Sequence, residues 1–314
     1  MNKNIFLKNK FFWILRVYFK FFEGLLRAVY SGMAGKRNKI YELRRSIHKI
    51  EKGLIQKNAK DFFADDYIMS LISLLKDAVI EGCDRDTLRW VVGVLNKYFQ
   101  VVKFTPNIKK AHDEYLSLGL LEEFHSEWFP YLFINRKMST VTYGQLKDLA
   151  GQRRSIRFYE EKKVDKSLVK KAMEIARLSP SACNRQAYKF VFVEDQKVAK
   201  KILDMSGGIK GFDIPNLIVV TGDYSAYSEA GDIFLPVIDA SMAAMSFMYA
   251  LETLGLSSIC LNWRELSSSD RLLREIIGLK KSEVAFFLIG FGYPDQAGGV
   301  AFSAKRSVDE MLIF

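Results

Sequence analysis

The chain has 314 residues, room for two domains of ordinary size, and its 49% hydrophobic and 26% charged content excludes a disordered chain. Its net charge of +11 is uneven: residues 1–60 hold fifteen Lys or Arg against three Glu, which gives +12, so the other 254 residues sum to −1. That asymmetry points to an anionic partner for the N-terminal segment, a membrane surface or a nucleic acid, and says nothing about the remainder.

Three scattered cysteines, Cys83, Cys183 and Cys260, make neither a disulfide framework nor a metal-type spacing. A reducing cytoplasm is therefore expected. The histidines His48, His112 and His125 do not cluster, so no zinc or other metal site is expected.

Residues 5–30 are rich in aromatics: Phe6, Phe11, Phe12, Trp13, Tyr18, Phe19, Phe21 and Phe22. The charged residues Arg16, Lys20, Glu23 and Arg27 recur at helical spacing and share one face. No uncharged run approaches the roughly 20 residues that span a bilayer, and no signal-peptide cleavage site is evident. Two readings stay open. One is a basic amphipathic helix, residues 1–35, lying in a membrane interface. The other is a helix that packs its aromatic face on the domain behind it.

Residues 36–140 read as an all-helical domain. Ile40, Leu43, Ile47, Ile50 and Leu54 form one stripe, with Gly53 as the expected C-terminal cap. His48 and Lys52, one turn apart, could face an anion. Apolar helical spacing continues through 65–104 and 109–125, separated by Thr105-Pro106-Asn107, with no Gly-rich phosphate loop. Tyr143 to Gly151 reads as a linker into a second domain, 145–314.

In that domain Asp165 fits the N-cap of a helix running to about Leu178. Phe190–Val193, Leu217–Thr221, Ser258–Leu261 and Val284–Ile289 are short apolar β-rich runs, expected to be strands. Gly231 to Leu254 is apolar nearly all round, so a central helix is expected. Strands alternating with helices predict an α+β or α/β domain.

Two segments carry chemistry. Arg153, Arg154, Ser155 and Arg157 put three guanidinium groups and a hydroxyl within five residues, suited to phosphate oxygens. Further on, Ser179-Pro180-Ser181-Ala182-Cys183-Asn184-Arg185-Gln186 is a small-residue turn whose Asn184 and Gln186 offer donors and acceptors. Together they suit a phosphorylated, flat, heteroatom-rich cofactor. The bland alternatives are a solvated basic run and an ordinary helix-to-strand turn. No nucleophile or general base is evident, and no histidine follows His125.

These two segments, with Asp239–Ala244 running to Leu254–Ser258, Ile289–Pro294, and Lys305-Arg306-Ser307, resemble the nitroreductase family of FMN-dependent oxidoreductases over roughly residues 145–314. The resemblance implies an α+β fold: a sheet flanked by helices in an interlocked homodimer, here preceded by the all-helical region. It implies FMN as cofactor and NAD(P)H as hydride donor. Arg153, Arg154, Ser155, Arg157, Lys305 and Arg306 would hold the phosphate and ribityl chain. Pro180, Ser181, Asn184 and Gln186 would line the ring, and Ser258, Ile259, Cys260, Leu261 and Asn262 would form the strand opposite. The flavin would carry the chemistry, so no catalytic side chain is named.

Three departures from the family pattern leave the small-molecule acceptor open. Gln186-Ala187-Tyr188 stands for Gln-Pro-Trp, Asn262-Trp263 for Glu-Gly, and Lys210–Pro215 for a longer insert. The expected protein is a cytoplasmic oxidoreductase, peripheral on the inner face of the membrane, with no nucleic-acid partner. The rival is a membrane-associated binding or scaffold protein whose nitroreductase-like domain is inactive.

Overall fold

Asn38 caps a long helix of the computed structural model, which describes residues 38–57, 61–124, 126–206, 209, 211–227, 229–263 and 268–313. Ahead of these it describes Phe11, Phe12, Ile14, Leu15, Tyr18, Phe19, Leu26 and Tyr30, each helical and exposed. The charged face expected at Arg16, Lys20, Glu23 and Arg27 lies outside the described residues. The chain divides into two compact units.

The helical unit comprises residues 1–140 with 180–187 and 223–239. Its helices are α1 (Lys39–Leu54), α2 (Ile68–Ile80), α3 (Arg85–Val101), α4 (Pro106–Ser117) and the single turn α5 (Leu120–Glu123). Three of these starts, those of α1, α3 and α4, have a side-chain cap. Asn38 Oδ1 accepts from Ile40 N, Asp84 Oδ1 from Thr87 N, and Thr105 Oγ1 from Ile108 N, with Pro106 at the first helical position. The 65–104 pattern is two helices, because Gly82 turns left-handed (φ +74°) and Asp84 recaps.

On α1, Leu43, Ile47 and Ile50 are fully buried, Ile40 and Leu54 partly so. Each full burial stabilises by about 1.5–3 kcal/mol. Gly53 is not a cap: α1 continues through it to Leu54. Glycine is needed there for close approach, since a Cβ would lie 2.3 Å from the Phe63 ring.

The sheet unit comprises 141–179, 188–222 and 240–314. The expected linker is instead a helix, α6 (Tyr143–Gln152), started by a capping box in which Thr142 and Gln145 bond reciprocally. It buries none of its side chains within this chain. Then follow α7 (Lys166–Ala176, capped by Asp165 as expected), β1 (Tyr188–Val193), α8 (Gln196–Ser206), β2 (Asn216–Asp223), α9 (Leu235–Thr253), β3 (Ser257–Asn262), α10 (Ser268–Ile277) and β4 (Glu283–Gly292). Helices α8 and α10 carry apolar stripes that sequence reading passed over.

The four strands lie in the order β1-β2-β4-β3. β1 pairs antiparallel with β2 (Tyr188 opposite Gly222), and β3 antiparallel with β4 (Ser257 opposite Gly292). Alternation along β2 sends Ile218 and Val220 to one face and Leu217 and Val219 to the other. The first face packs on α7 and α9 through Ala172, Ala176, Ala243 and Phe247; the second packs on α8 and α10 through Ala199, Ile202, Leu203 and Leu273. A sheet covered by helices on both faces is the α+β architecture expected. Among the described residues, no helix is long and apolar enough to cross a membrane.

Candidate functional site

The edge strand β3 sets out one half of the expected site. Ile259 and Leu261 point into the α8/α10 core, so Ser258, Cys260 and Asn262 share the opposite face, level with Phe291, Ile289 and Phe287 across the ladder. Cys260 and Asn262 are exposed. Ser258 is fully buried, and its Oγ has no hydrogen-bond partner. A buried hydroxyl left unpaired costs about 1–3 kcal/mol, so it marks a place where a ligand acceptor or donor would be gained.

The arginine run is stitched to this strand. Ser155 pairs with Ser258 in an isolated parallel bridge, and Ile156 N donates to Ser258 O at 3.1 Å. Sequence reading placed both segments at the cofactor, and the backbone brings them together. Arg154 Nη1 donates to Arg153 O (3.1 Å) and Arg157 Nη1 to Ser155 O (3.2 Å). Among the described residues, none of Arg153, Arg154 and Arg157 forms an ion pair with a carboxylate.

Arg153 acts electrostatically on two neighbours. Burial pushes the Glu252 carboxyl up, opposed by bonds from Gln152 and Ser257 and by the Arg153 charge. Glu252 Oε2 accepts from Gln152 Nε2 (3.3 Å) and Ser257 Oγ (3.4 Å), while Oε1 has no partner. The packed surroundings of the Cys260 thiol push it up although the residue reaches solvent, and Arg153 pulls it back.

Lys305 and Arg306 do not join this run. They lie on an exposed C-terminal segment, where Arg306 Nε bonds Glu310 Oε2 at 3.1 Å. Among the described residues no bond links them to Arg153, Arg154, Ser155 or Arg157. Beyond β4 the tail's Phe302 (83% exposed) and Ile313 (91%) are largely uncovered.

The second half of the expected site is the Pro180–Ala187 turn, which belongs to the helical unit. Pro180 is exposed, and Ser181, Asn184 and Gln186 are half-buried. Cys183, Asn184 and Gln186 are left-handed, with φ of 53°, 52° and 53°. Such backbone costs about 1–2 kcal/mol per residue, least for Asn. Side chains hold it. Ala182 N donates to both Asp239 oxygens (3.1 and 3.0 Å), and Tyr227 O–H donates to Asp239 Oδ2 (2.8 Å). Gln186 N donates to Ser181 Oγ (3.1 Å), and Arg44 Nε to Asn184 O (2.8 Å). Gln186 Nε2 donates to Asn184 Oδ1 (3.0 Å), which leaves Asn184 Nδ2 as donor and Gln186 Oε1 as acceptor.

Burial pushes Asp239 above the usual carboxylate range, partly offset by Tyr227, the Ala182 amide and Arg185. Arg185 is itself buried, its guanidinium 4.9 Å from the Tyr227 ring centroid. Sequence reading missed Asp239, Tyr227, Arg44 and Glu252 as supporting residues. Asp239 and Glu252 were visible as the two carboxylates of a largely apolar helix, but the amide that Asp239 holds lies 57 residues away.

A cavity of about 580 Å3 lies elsewhere in the sheet unit, lined by Tyr159, Lys162, Lys200, Phe212, Asp213 and Asn216 among others. None of the sequence-predicted residues lines it. Lys200 pairs there with Asp213 (3.3 Å), and Lys162 lies over the Tyr293 ring (4.0 Å).

The sequence model of the Nitroreductase family matches residues 150–210 and 209–293. A protein of Archaeoglobus fulgidus named "Putative NADH dehydrogenase/NAD(P)H nitroreductase" is 31% identical over 145 residues, 45% of this chain and 81% of that protein. The chain belongs to the nitroreductase family. An NADPH-dependent oxidoreductase of Staphylococcus aureus is 23% identical over 170 residues, 49% of this chain and 67% of that protein. A structure titled FMN-dependent nitroreductase, from Clostridium difficile, is 24% identical and covers 49% of this chain and 91% of that one, with a TM-score of 0.42. As a member of the family, the chain is an oxidoreductase.

Proposed function

We propose that this nitroreductase binds FMN and passes a hydride from NAD(P)H to a small-molecule acceptor. The observation that carries the reading is the Ser155–Ser258 pairing. It sets three arginines, free of carboxylate ion pairs among the described residues, beside a strand face with an unpaired buried hydroxyl and two exposed polar residues. That donor set fits the group: guanidinium forks suit a phosphate, and Ser258 with Asn262 suits a ring edge rich in heteroatoms.

The bound flavin supplies hydride exchange; the protein binds and orients it. The test is a titration of the full chain with FMN, followed by absorbance and flavin fluorescence. Saturable uptake at one site per chain, with NAD(P)H bleaching of the bound flavin, is expected. A chain that takes up no FMN overturns the reading and leaves the inactive-domain alternative.

The homodimer belongs to the same proposal. Helix α6 has no buried face, Ile238 and Met242 one turn apart on α9 are exposed, and the C-terminal tail is apolar and uncovered. A second copy would cover these surfaces, and its tail would deliver Lys305 and Arg306 to the phosphate. Light scattering should give twice the chain mass; a monomer that binds FMN refutes the dimer.

Peripheral attachment rests on the +12 charge of residues 1–60 and on exposed Phe11, Phe12, Tyr18 and Phe19. Each basic residue near an anionic bilayer contributes about 1 kcal/mol. Co-sedimentation with anionic vesicles should weaken as salt rises and vanish when residues 1–35 are deleted. Binding that survives the deletion rejects the anchor.

A further inference from the structure

The role of the helical region is the question the family relationship leaves open, since the family match begins at residue 150. We propose that Arg44 of α1 is a positioning residue that holds the Ala182–Gln186 turn in its left-handed form, so that the helical region sets the geometry of the turn's flavin-binding groups. The proposal rests on the reading that this turn contacts FMN.

Arg44 is fixed on several sides. Its Nη1 donates to Thr87 Oγ1 at 2.6 Å, and Thr87 is itself 2% exposed and set by the Asp84 cap. The guanidinium carbon lies 5.0 Å from the Trp90 ring centroid. Trp90 Nε1 donates to Glu51 Oε1 at 2.9 Å, and the other Glu51 oxygen lies 3.2 Å from His48 Nδ1. Within the His48–Lys52 stretch that the sequence singles out, Glu51 thus links α1 to Trp90 of α3. A planar fork held this way presents Nε to the Asn184 carbonyl in one direction. Tyr41, on the same helix, packs against the cluster of Ala187, Ala226 and Tyr227, as does Ala182 of the turn.

The consequence is local. Asn184 and Gln186 both sit at positive φ, so the peptide between them and the direction of both amide side chains depend on what holds the Asn184 carbonyl. Without that hold the turn relaxes toward negative φ, and Asn184 Nδ2 and Gln186 Oε1 swing away. Arg44, which holds the Asn184 carbonyl, is in the helical region; the groups it aims are in the family-matched segment.

Arg44→Ala and Arg44→Lys in the full chain test this, with hydrogen–deuterium exchange of flavin-free protein as the first readout. Arg44→Ala should speed exchange of the 182–187 amides roughly tenfold or more while α2 is unchanged. Arg44→Lys should give a smaller effect, since it keeps the charge but loses the fork. In FMN titration Arg44→Ala should weaken binding roughly tenfold, and Arg44→Lys should recover part of that. Unchanged exchange in the turn overturns the proposal. Faster exchange with unaltered FMN affinity overturns its ligand half. Should Arg44→Ala fail to fold, Thr87→Val and Trp90→Phe decide: each should speed exchange in the turn by less, and no change in either overturns the hold. A wild-type chain that takes up no FMN sinks the proposed function instead, and the exchange comparison still decides whether Arg44 holds the turn.

Discussion

In the sheet unit, Ser258, Cys260 and Asn262 are presented by a hydrogen-bonded ladder, and their direction follows from the two-residue period of β3. In the helical unit, the Ala182–Gln186 turn has no ladder, and its three left-handed residues are held by Asp239, Tyr227, Ser181 and Arg44. The first arrangement draws on backbone bonds that any β-forming sequence makes. The second draws on a few charged or hydroxyl side chains, each of which can fail alone. One kind of geometry should therefore survive most single substitutions, and the other should be lost to several.

The largest expected break in that contrast is Asp239→Ala. It strips the Ala182 amide and the Tyr227 hydroxyl of one acceptor at a residue 2% exposed, a loss of about 2–3 kcal/mol in stability. Denaturant unfolding should show it, with exchange rising in the turn and not in β3. Equal loss of protection in β3 would refute the separation.

Next is Arg153→Ala. FMN binding should weaken roughly tenfold, about 1.4 kcal/mol, with little change in folding stability. Because Arg153 pulls the Cys260 thiol down, its removal should move the pH profile of Cys260 alkylation upward. A Kd that does not change removes Arg153 from the site.

Two buried carboxylates, one in each unit, should also respond to pH with opposite sign. Asp239 is raised above its ordinary 3.8 by burial, so the folded state holds its proton longer than the unfolded one. Its contribution is greatest in acid and is lost as pH rises from the ordinary Asp range toward the raised folded value. Glu283, at the start of β4, is the reverse. Burial pushes it up, but Lys189 and the Lys280 amide outweigh burial and hold it below 4.5. Its contribution is present above 4.5 and is lost as pH falls toward the depressed folded value. Asp239→Asn should flatten the first dependence. Lys189→Met should weaken the second, because only Lys280 then opposes burial. Unfolding series across pH 3–7 would check both.

The smallest effect is Ser258→Ala. Removing an unpaired buried hydroxyl should leave flavin-free stability unchanged or raise it by up to about 1 kcal/mol. FMN affinity should fall at the same time. Lower stability without ligand would mean that the hydroxyl is already satisfied.

The legible parts were those with short-range causes. The Asp165 cap, the α1 stripe and the apolar runs of β2 and β4 all follow from spacing within one element. The Arg153–Arg157 run and the Ser258–Asn262 strand were likewise visible as local patterns. The capping box at Thr142 and Gln145 was equally local and was read as a linker, since Gly144 and Gly151 drew attention away from the cap. Gly53 was misread for a different reason: the ring that requires it, Phe63, lies in another segment.

What the sequence determined by itself is therefore the family, the alternation of helices and strands, and the chemistry of the candidate cofactor residues. Those properties live in residue type and spacing. Only the tertiary structure decided that Ser155 lies beside Ser258, that Lys305 and Arg306 stay away from the arginine run, and that Arg44 holds Asn184 from 140 residues distant. These depend on which backbone groups are left without partners once the elements pack. A carbonyl in a left-handed turn takes its donor from whatever side chain the fold brings within reach, and the periodicity of a single segment carries no trace of that choice.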